Sequence, residues 1–212
     1  MSVLSQKTRP LCNAPGLDSS GRARQELING LNEDLAGEYQ AIAAYATLVA
    51  FFRAEVAIIS PKPDEIQAVH NDLEKGRRIP VDRSIYDVSP LDFDATHLPG
   101  GTVNADRMRV IPELQVFLRE MHEGGKPIAA ICHAPWELVS AGLVRGRTLT
   151  SYFTLQDDIR NAGGIWVDQP VAEDGTIVTS RQPADIPLYN AAMIELFARS
   201  MSAARSEPAG KR

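Results

Sequence analysis

The chain contains little cysteine and no long apolar run. Its only cysteines among 212 residues are Cys12 and Cys132, which excludes a disulfide framework and favours a reducing compartment. No stretch approaches the roughly 18 apolar residues of a membrane-spanning helix, and residues 1–30 lack the apolar core of a signal peptide. We therefore expect a cytoplasmic protein.

The chain also lacks an excess of positive charge, since 27 acidic residues outnumber 22 Lys and Arg residues. The net charge of −5 gives no general attraction to nucleic acid or to an anionic membrane, so neither is expected as a partner. The sequence has no G-x-S-x-G, P-loop or G-x-G-x-x-G motif and no Cys/His set with zinc spacing. Neither a cofactor nor a metal is expected. The length and the hydrophobic content of 44% suit one globular domain of ordinary size.

The pattern along the chain divides it into four segments. Residues 1–21 are rich in Pro, Gly and Ser and predict a flexible tail, and residues 203–212 predict a second one. Apolar residues at steps of three and four predict one long helix, or two, over residues 22–53. Residues 54–202 then alternate between strand-like and helix-like pieces and form the expected main domain.

Several strands of this main domain are apolar on both faces. The predicted strands include "AEVAIIS", "FDATHL" and "KPIAAIC", and the predicted helices include "RVIPELQVFLREMHE", "PWELVSAGLV", "TLQDDIRNAG" and "DIPLYNAAMIELFARSM". Residues 64–92 are expected to be mostly turns, and "IPVDRSI" within them could form a short strand. Strands that are apolar on both faces and alternate with helices indicate an α/β fold with a mainly parallel sheet covered on both sides.

The long N-terminal helix carries an acidic residue on its apolar stripe. Counting helical steps places Glu38 there, and a buried carboxylate costs free energy unless it is paired or bound. The stretch "ELINGLNEDLAGEYQAIAAYATLVA" resembles the first helix of ferritin-like proteins, in which Glu38 would be an iron ligand. No histidine of the chain has Glu three residues before it, so the ferritin type of iron site is not expected.

The stretch "PIAAICHAPWELVSAG" places Cys132 between an apolar strand and a helix. The start of that helix favours a thiolate, and a tight turn would direct the His133 amide towards a developing oxyanion. The loop of Gly100 and Gly101 could supply a second amide. A cysteine in an apolar strand is equally typical of a buried structural residue, and spacing alone leaves both interpretations open.

Longer motifs carry a family resemblance. "LPGG", "GKPIAAICHAPWELVSAGLVRGRTLTSY", "NAGGIWVDQPV" and "TSRQPADIP" resemble the PfpI-type intracellular protease/amidase family of the class I glutamine amidotransferase-like superfamily. The resemblance covers residues 54–199. It implies a flavodoxin-like three-layer sandwich, and a cysteine-dependent hydrolase with deglycase, glyoxalase or amidase–peptidase activity in stress protection.

The resemblance also implies the site residues and the assembly. Cys132 would be the nucleophile and His133 its base, and the Gly101 and His133 amides would bind the oxyanion. Asp106, contributed by a neighbouring subunit, would orient the histidine in a homodimer or homohexamer. The substrates would be small carbonyl compounds or proteins, and the reaction would need no cofactor or metal.

The sequence departs from the family pattern before residue 54. The family's first strand, and the helix glutamate that contacts the catalytic sulfur, are not found there; the long helix stands in their place. The helix, or a partner subunit, would then have to cover the gap in the sheet. Glu38 either replaces the missing glutamate or is a relic of another helix. The alternative function is a catalytically impaired scaffold or a redox-sensing assembly protein.

Overall fold

A seven-stranded sheet forms the centre of the computed structural model, which describes residues 2–5, 55–70 and 74–206. The strands in these ranges are β1 (Ser2–Ser5), β2 (Glu55–Ser60), β3 (Glu65–His70), β4 (Glu74–Pro80), β5 (Arg83–Ser84), β6 (Ala95–Leu98), β7 (Ile128–Ile131), β8 (Thr148–Leu149), β9 (Ile165–Trp166), β10 (Val171–Asp174) and β11 (Ile177–Ser180). The central sheet has the order β10-β11-β7-β6-β1-β2-β5. All of its strands except β1 and β10 point the same way, which confirms a mainly parallel sheet.

Helices cover both faces of this sheet. They are α1 (Thr102–Met108), α2 (Pro112–Glu123), α3 (Pro135–Ser140), α4 (Gln156–Asn161) and α5 (Ile186–Ser206). Side chains of α1 to α4 belong to one apolar core, and those of α5 belong to a second core on the opposite face. The predicted α/β class is therefore confirmed. Within the described ranges, no helix combines the length and apolarity needed to cross a membrane.

Strand β7 shows why the sheet needs cover on both faces. Ile128 and Ala130 point into the first core, whereas Ala129 and Ile131 point into the second, and all four residues are buried. Alternation of side chains along a strand produces this arrangement. Because β7 lies between β6 and β11 and is parallel to both, its carboxyl end opens at the middle of the sheet edge. That end leads directly to Cys132.

Strand β1 corrects the expectation for the N-terminus. Residues 2–5 were assigned to a flexible tail, but they pair antiparallel with both β2 and β6, with Val3 opposite Ala57 and Thr96. The physical reason is hydrogen bonding. Without β1, backbone N–H and C=O groups of β2 and β6 would face each other across a gap and lack partners. The gap that we expected the helix or a partner to cover is filled by this strand. Cys12, Glu38 and the helix predicted over residues 22–53 lie outside the described residues.

Three further differences concern local structure. Strands β3 and β4 form a hairpin in a segment that was expected to be mostly turns, and the Gln67 side chain donates to the Gly76 carbonyl at 2.7 Å. This hairpin has few apolar residues, so strand periodicity gave little signal. Helix α1 follows the glycine loop although its seven residues were not predicted as a helix. Helix α5 continues to Ser206, past the predicted start of the tail at 203, through alanines that favour helix.

Removing residues 2–5 is expected to destabilise the fold by at least about 3 kcal/mol, because each buried backbone group left unpaired costs about 1–3 kcal/mol. Urea unfolding monitored by circular dichroism would measure this loss. A chain shortened after Ser206 provides the control, since it leaves the sheet complete. Equal stability of the two shortened chains would contradict the pairing of β1.

Candidate active site

A strained turn presents Cys132 at the carboxyl end of β7. Its φ of 64° is in the left-handed region, which costs a residue other than glycine roughly 1–3 kcal/mol. The turn is held from two sides: the Cys132 amide donates to the Ser180 carbonyl at 3.0 Å, and the Tyr152 amide donates to the Cys132 carbonyl at 2.8 Å. We call residues 131–135 the elbow. Its backbone therefore fixes the cysteine in one orientation.

The elbow brings the sulfur and the adjacent imidazole together. Cys132 Sγ lies 3.2 Å from His133 Nδ1, although side chains of consecutive residues in a straight strand would point to opposite faces. The sharp turn that the sequence analysis required for this contact is present. Both residues are mostly buried, and Cys132 keeps 8% of its surface exposed. A thiol at this distance can transfer its proton to the ring nitrogen.

Two hydroxyls face the other nitrogen of the imidazole. His133 Nε2 lies 3.4 Å from Thr102 Oγ1 and 3.5 Å from Thr154 Oγ1, which are long hydrogen-bond distances. The ring also stacks on Tyr152 with centroids 4.7 Å apart. A hydroxyl that accepts from Nε2 leaves Nδ1 available to the sulfur. These three residues were not predicted as site residues, because they are distant from Cys132 along the chain.

The glycine loop and α1 lie beside this pair. Gly101 has a φ of 96°, which favours glycine, and Asn104 braces the loop by donating to the Pro99 carbonyl at 3.2 Å. Asp106 is exposed on α1, one helical turn after Thr102 and on the same face of that helix. Of the predicted site residues, Cys132, His133 and Gly101 therefore gather around the elbow, and Asp106 faces solvent nearby.

Helix α3 carries a buried carboxyl group that the sequence analysis missed. Glu137 is 2% exposed and lies on the inward face of the helix with Leu138 and Ala141. Among the residues that the structure describes, its Oε1 atom has no hydrogen-bond partner. Burial raises the pKa of Glu137 from 4.5 to about 8. A count of helical steps does not select Glu137 as it selects Glu38, because its helix has only six residues.

Strand β6 carries a buried histidine. His97 is 1% exposed, and neither of its ring nitrogens is hydrogen-bonded within the described part of the chain. Burial lowers the pKa of His97 to about 3, so the ring is neutral near pH 7. It faces the Tyr189 ring at 5.9 Å in the second core. This environment is that of a structural histidine.

The chain resembles known proteins across most of its length. A model of the DJ-1/PfpI family matches residues 31–196, starting upstream of the domain boundary predicted at residue 54. Deglycase TK1284 from Thermococcus kodakarensis is 37% identical over 143 residues, which cover 68% of this chain and 82% of that protein. Protein/nucleic acid deglycase 2 from Escherichia coli is 41% identical over 120 residues, covering 56% and 69% of the two chains.

One similar solved structure contains a second type of domain in addition to the PfpI-like one. It is a two-domain protein from Anabaena variabilis with DJ-1/ThiJ/PfpI-like and ferritin-like domains. The likeness has a TM-score of 0.62 at 27% identity and covers 67% of this chain but 40% of that one. That protein combines a PfpI-like domain with a ferritin-like domain, the kind of protein to which the predicted N-terminal helix was compared.

Proposed function

Because this chain belongs to the DJ-1/PfpI family, we propose that it is a cysteine-dependent hydrolase that acts on carbonyl substrates. The observation that supports the proposal best is the contact of 3.2 Å between Cys132 Sγ and His133 Nδ1 at the strained elbow. A turn that costs free energy and displays a nucleophile beside a base is typical of an active site.

The first chemical step follows from the geometry of this pair. His133 Nδ1 accepts the thiol proton, and the sulfur then attacks the substrate carbonyl carbon to form a C–S bond. The electron pair of the carbonyl π bond moves to the oxygen, which the amides of Gly101 and His133 stabilise. For an amide substrate, the amine leaves with the proton from His133, and water hydrolyses the resulting thioester. Thr102 and Thr154 hold the imidazole in position for these transfers.

The proposal includes an assembly. Asp106 is exposed on α1, and an exposed carboxylate can reach a neighbouring subunit. We assign to it the orienting role for the histidine of a partner in a homodimer or homohexamer. A cytoplasmic location remains part of the same proposal, as does a role in stress protection.

The substrate class is drawn from the relatives. Those named deglycases suggest that adducts of small dicarbonyl compounds on proteins are substrates of this chain. Methylglyoxal and peptides are the other carbonyl substrates that we propose. Each of these substrates has an electrophilic carbon that a thiolate can attack, so Cys132 could react with all of them.

Turnover assays on the purified full chain test this proposal. We expect amine release from a methylglyoxal-modified peptide, or loss of methylglyoxal measured by derivatisation. A Cys12→Ser variant should keep the same rates, because Cys12 lies outside the elbow. No turnover of any of these substrates by the intact chain would contradict the hydrolase and favour the non-catalytic alternative.

A further inference from the structure

A row of aromatic rings runs past the elbow and ends at solvent. The Trp136 ring meets the His133 ring edge-on at 5.8 Å, His133 stacks on Tyr152, and Tyr152 lies 4.8 Å from Phe153. Trp136 and Tyr152 are half-buried, whereas Phe153 is 59% exposed at the outer end of the row. The row therefore ends in an aromatic ring that faces solvent beside the elbow.

The backbone fixes Phe153 close to the elbow. Its neighbours in the chain, Tyr152 and Thr154, both contact the His133 ring. The amide of Tyr152 also donates to the Cys132 carbonyl, so this segment is tied directly to the reactive cysteine. Residues 153–155 form a short 3-10 turn, which limits how far the phenyl ring can move from the site.

Exposure alone would give Phe153 no role, because single exposed apolar residues are common on protein surfaces. Leu188 on α5, for example, is also 59% exposed and lies in a different part of the sequence from the elbow. What distinguishes Phe153 is that its exposed ring contacts Tyr152, whose own ring stacks on the imidazole. A flat apolar group of a substrate held by Cys132 could pack against this exposed ring.

We infer that Phe153 is a specificity-determining residue that receives an aromatic or large apolar substituent next to the carbonyl carbon attacked by Cys132. The preferred substrates are then aryl- or alkyl-substituted carbonyl compounds rather than those of glyoxal size. This inference rests on the proposed role of Cys132 as the nucleophile. It adds a substrate preference that the elbow by itself does not supply.

Alkylation of Cys132 tests the inference without requiring turnover. Phenacyl bromide and bromoacetone differ mainly by a phenyl in place of a methyl group. With each reagent the thiolate sulfur displaces bromide from the α-carbon: a C–S bond forms, the C–Br bond breaks, and bromide leaves with the electron pair. In a Cys12→Ser background Cys132 is the only thiol, and intact mass spectrometry follows its modification. The ratio of the two rate constants, divided by the same ratio for glutathione, reports the phenyl preference of the site.

We expect Phe153→Ala to lower this normalised ratio by about two- to tenfold, the range for one aromatic pair. Leu188→Ala, at the same exposure, should leave it unchanged, and matching circular dichroism spectra would verify folding. An unchanged ratio in Phe153→Ala, or an equal fall in Leu188→Ala, would overturn the inference. If Phe153→Ala lowers the ratio but no carbonyl substrate is turned over, the aromatic subsite stands and the hydrolase proposal fails. If neither reagent modifies Cys132, both are overturned.

Discussion

Replacing Cys132 by serine is expected to lower the turnover of methylglyoxal or of glycated peptide by at least about 10³-fold. The substitution exchanges one atom, so the elbow and its contact with His133 should persist. A serine hydroxyl is far less acidic than a thiol, and His133 alone cannot make it a comparable nucleophile. The loss should appear in kcat, with little change in the free energy of unfolding.

Two comparisons make this result specific. Cys12→Ser should retain the activity of the unmodified chain, which would show that a thiol at the elbow, rather than any thiol, is required. Thermal unfolding of both variants should match that of the parent. Turnover by Cys132→Ser within about tenfold of the parent would exclude covalent catalysis by this residue and would end the proposed mechanism.

The elbow could be predicted from the sequence because its signal is local. An apolar strand, a cysteine and a helix-like pattern follow one another within sixteen residues, and the surrounding motifs carry the family resemblance. The contact between Cys132 and His133 then depends on one backbone turn. Thr102 and Thr154 could not be predicted in the same way, because the fold brings them to Nε2 from separate segments.

Strand β1 illustrates the opposite case. Four residues are too few for a period to be recognised, and their neighbours in the sheet are fifty or more residues away in the chain. Composition favoured a tail, while the unpaired backbone of β2 and β6 determines where residues 2–5 lie. Glu137 was missed for another reason. A six-residue helix offers too few turns for one polar residue on the inward face to stand out.

The second large effect concerns Glu137 and stability. Its pKa is about 8 in the folded chain and 4.5 when exposed, so the folded state holds the proton more tightly. The contribution of Glu137 to the free energy of unfolding is therefore highest below pH 4.5. The contribution of Glu137 should fall by about 1.4 kcal/mol per pH unit as the pH rises from 4.5 to 8. This slope follows from the cost of ionising a buried carboxyl group.

His97 acts in the opposite direction. Its pKa is about 3 when folded and 6.5 when exposed, so the unfolded chain binds more protons between these values and stability rises with pH. Between pH 4.5 and 6.5 the contributions of His97 and Glu137 oppose each other. Below that interval the free energy of unfolding rises with pH because of His97, and above it the free energy of unfolding falls with pH because of Glu137. The two residues together predict a stability plateau from about pH 4.5 to 6.5.

Replacing Glu137 by leucine should therefore stabilise the chain at pH 8 by about 3 kcal/mol and remove the decline above pH 6.5. Glu137→Gln should also remove the decline but stabilise less, since it keeps a buried polar group without a partner. Urea unfolding at pH 5, 6.5 and 8 would measure both effects. Exposed Glu120→Gln is the matched control and should retain the decline. If Glu137→Leu loses stability at pH 8, the Glu137 carboxylate is ionised and has a partner that stabilises the fold.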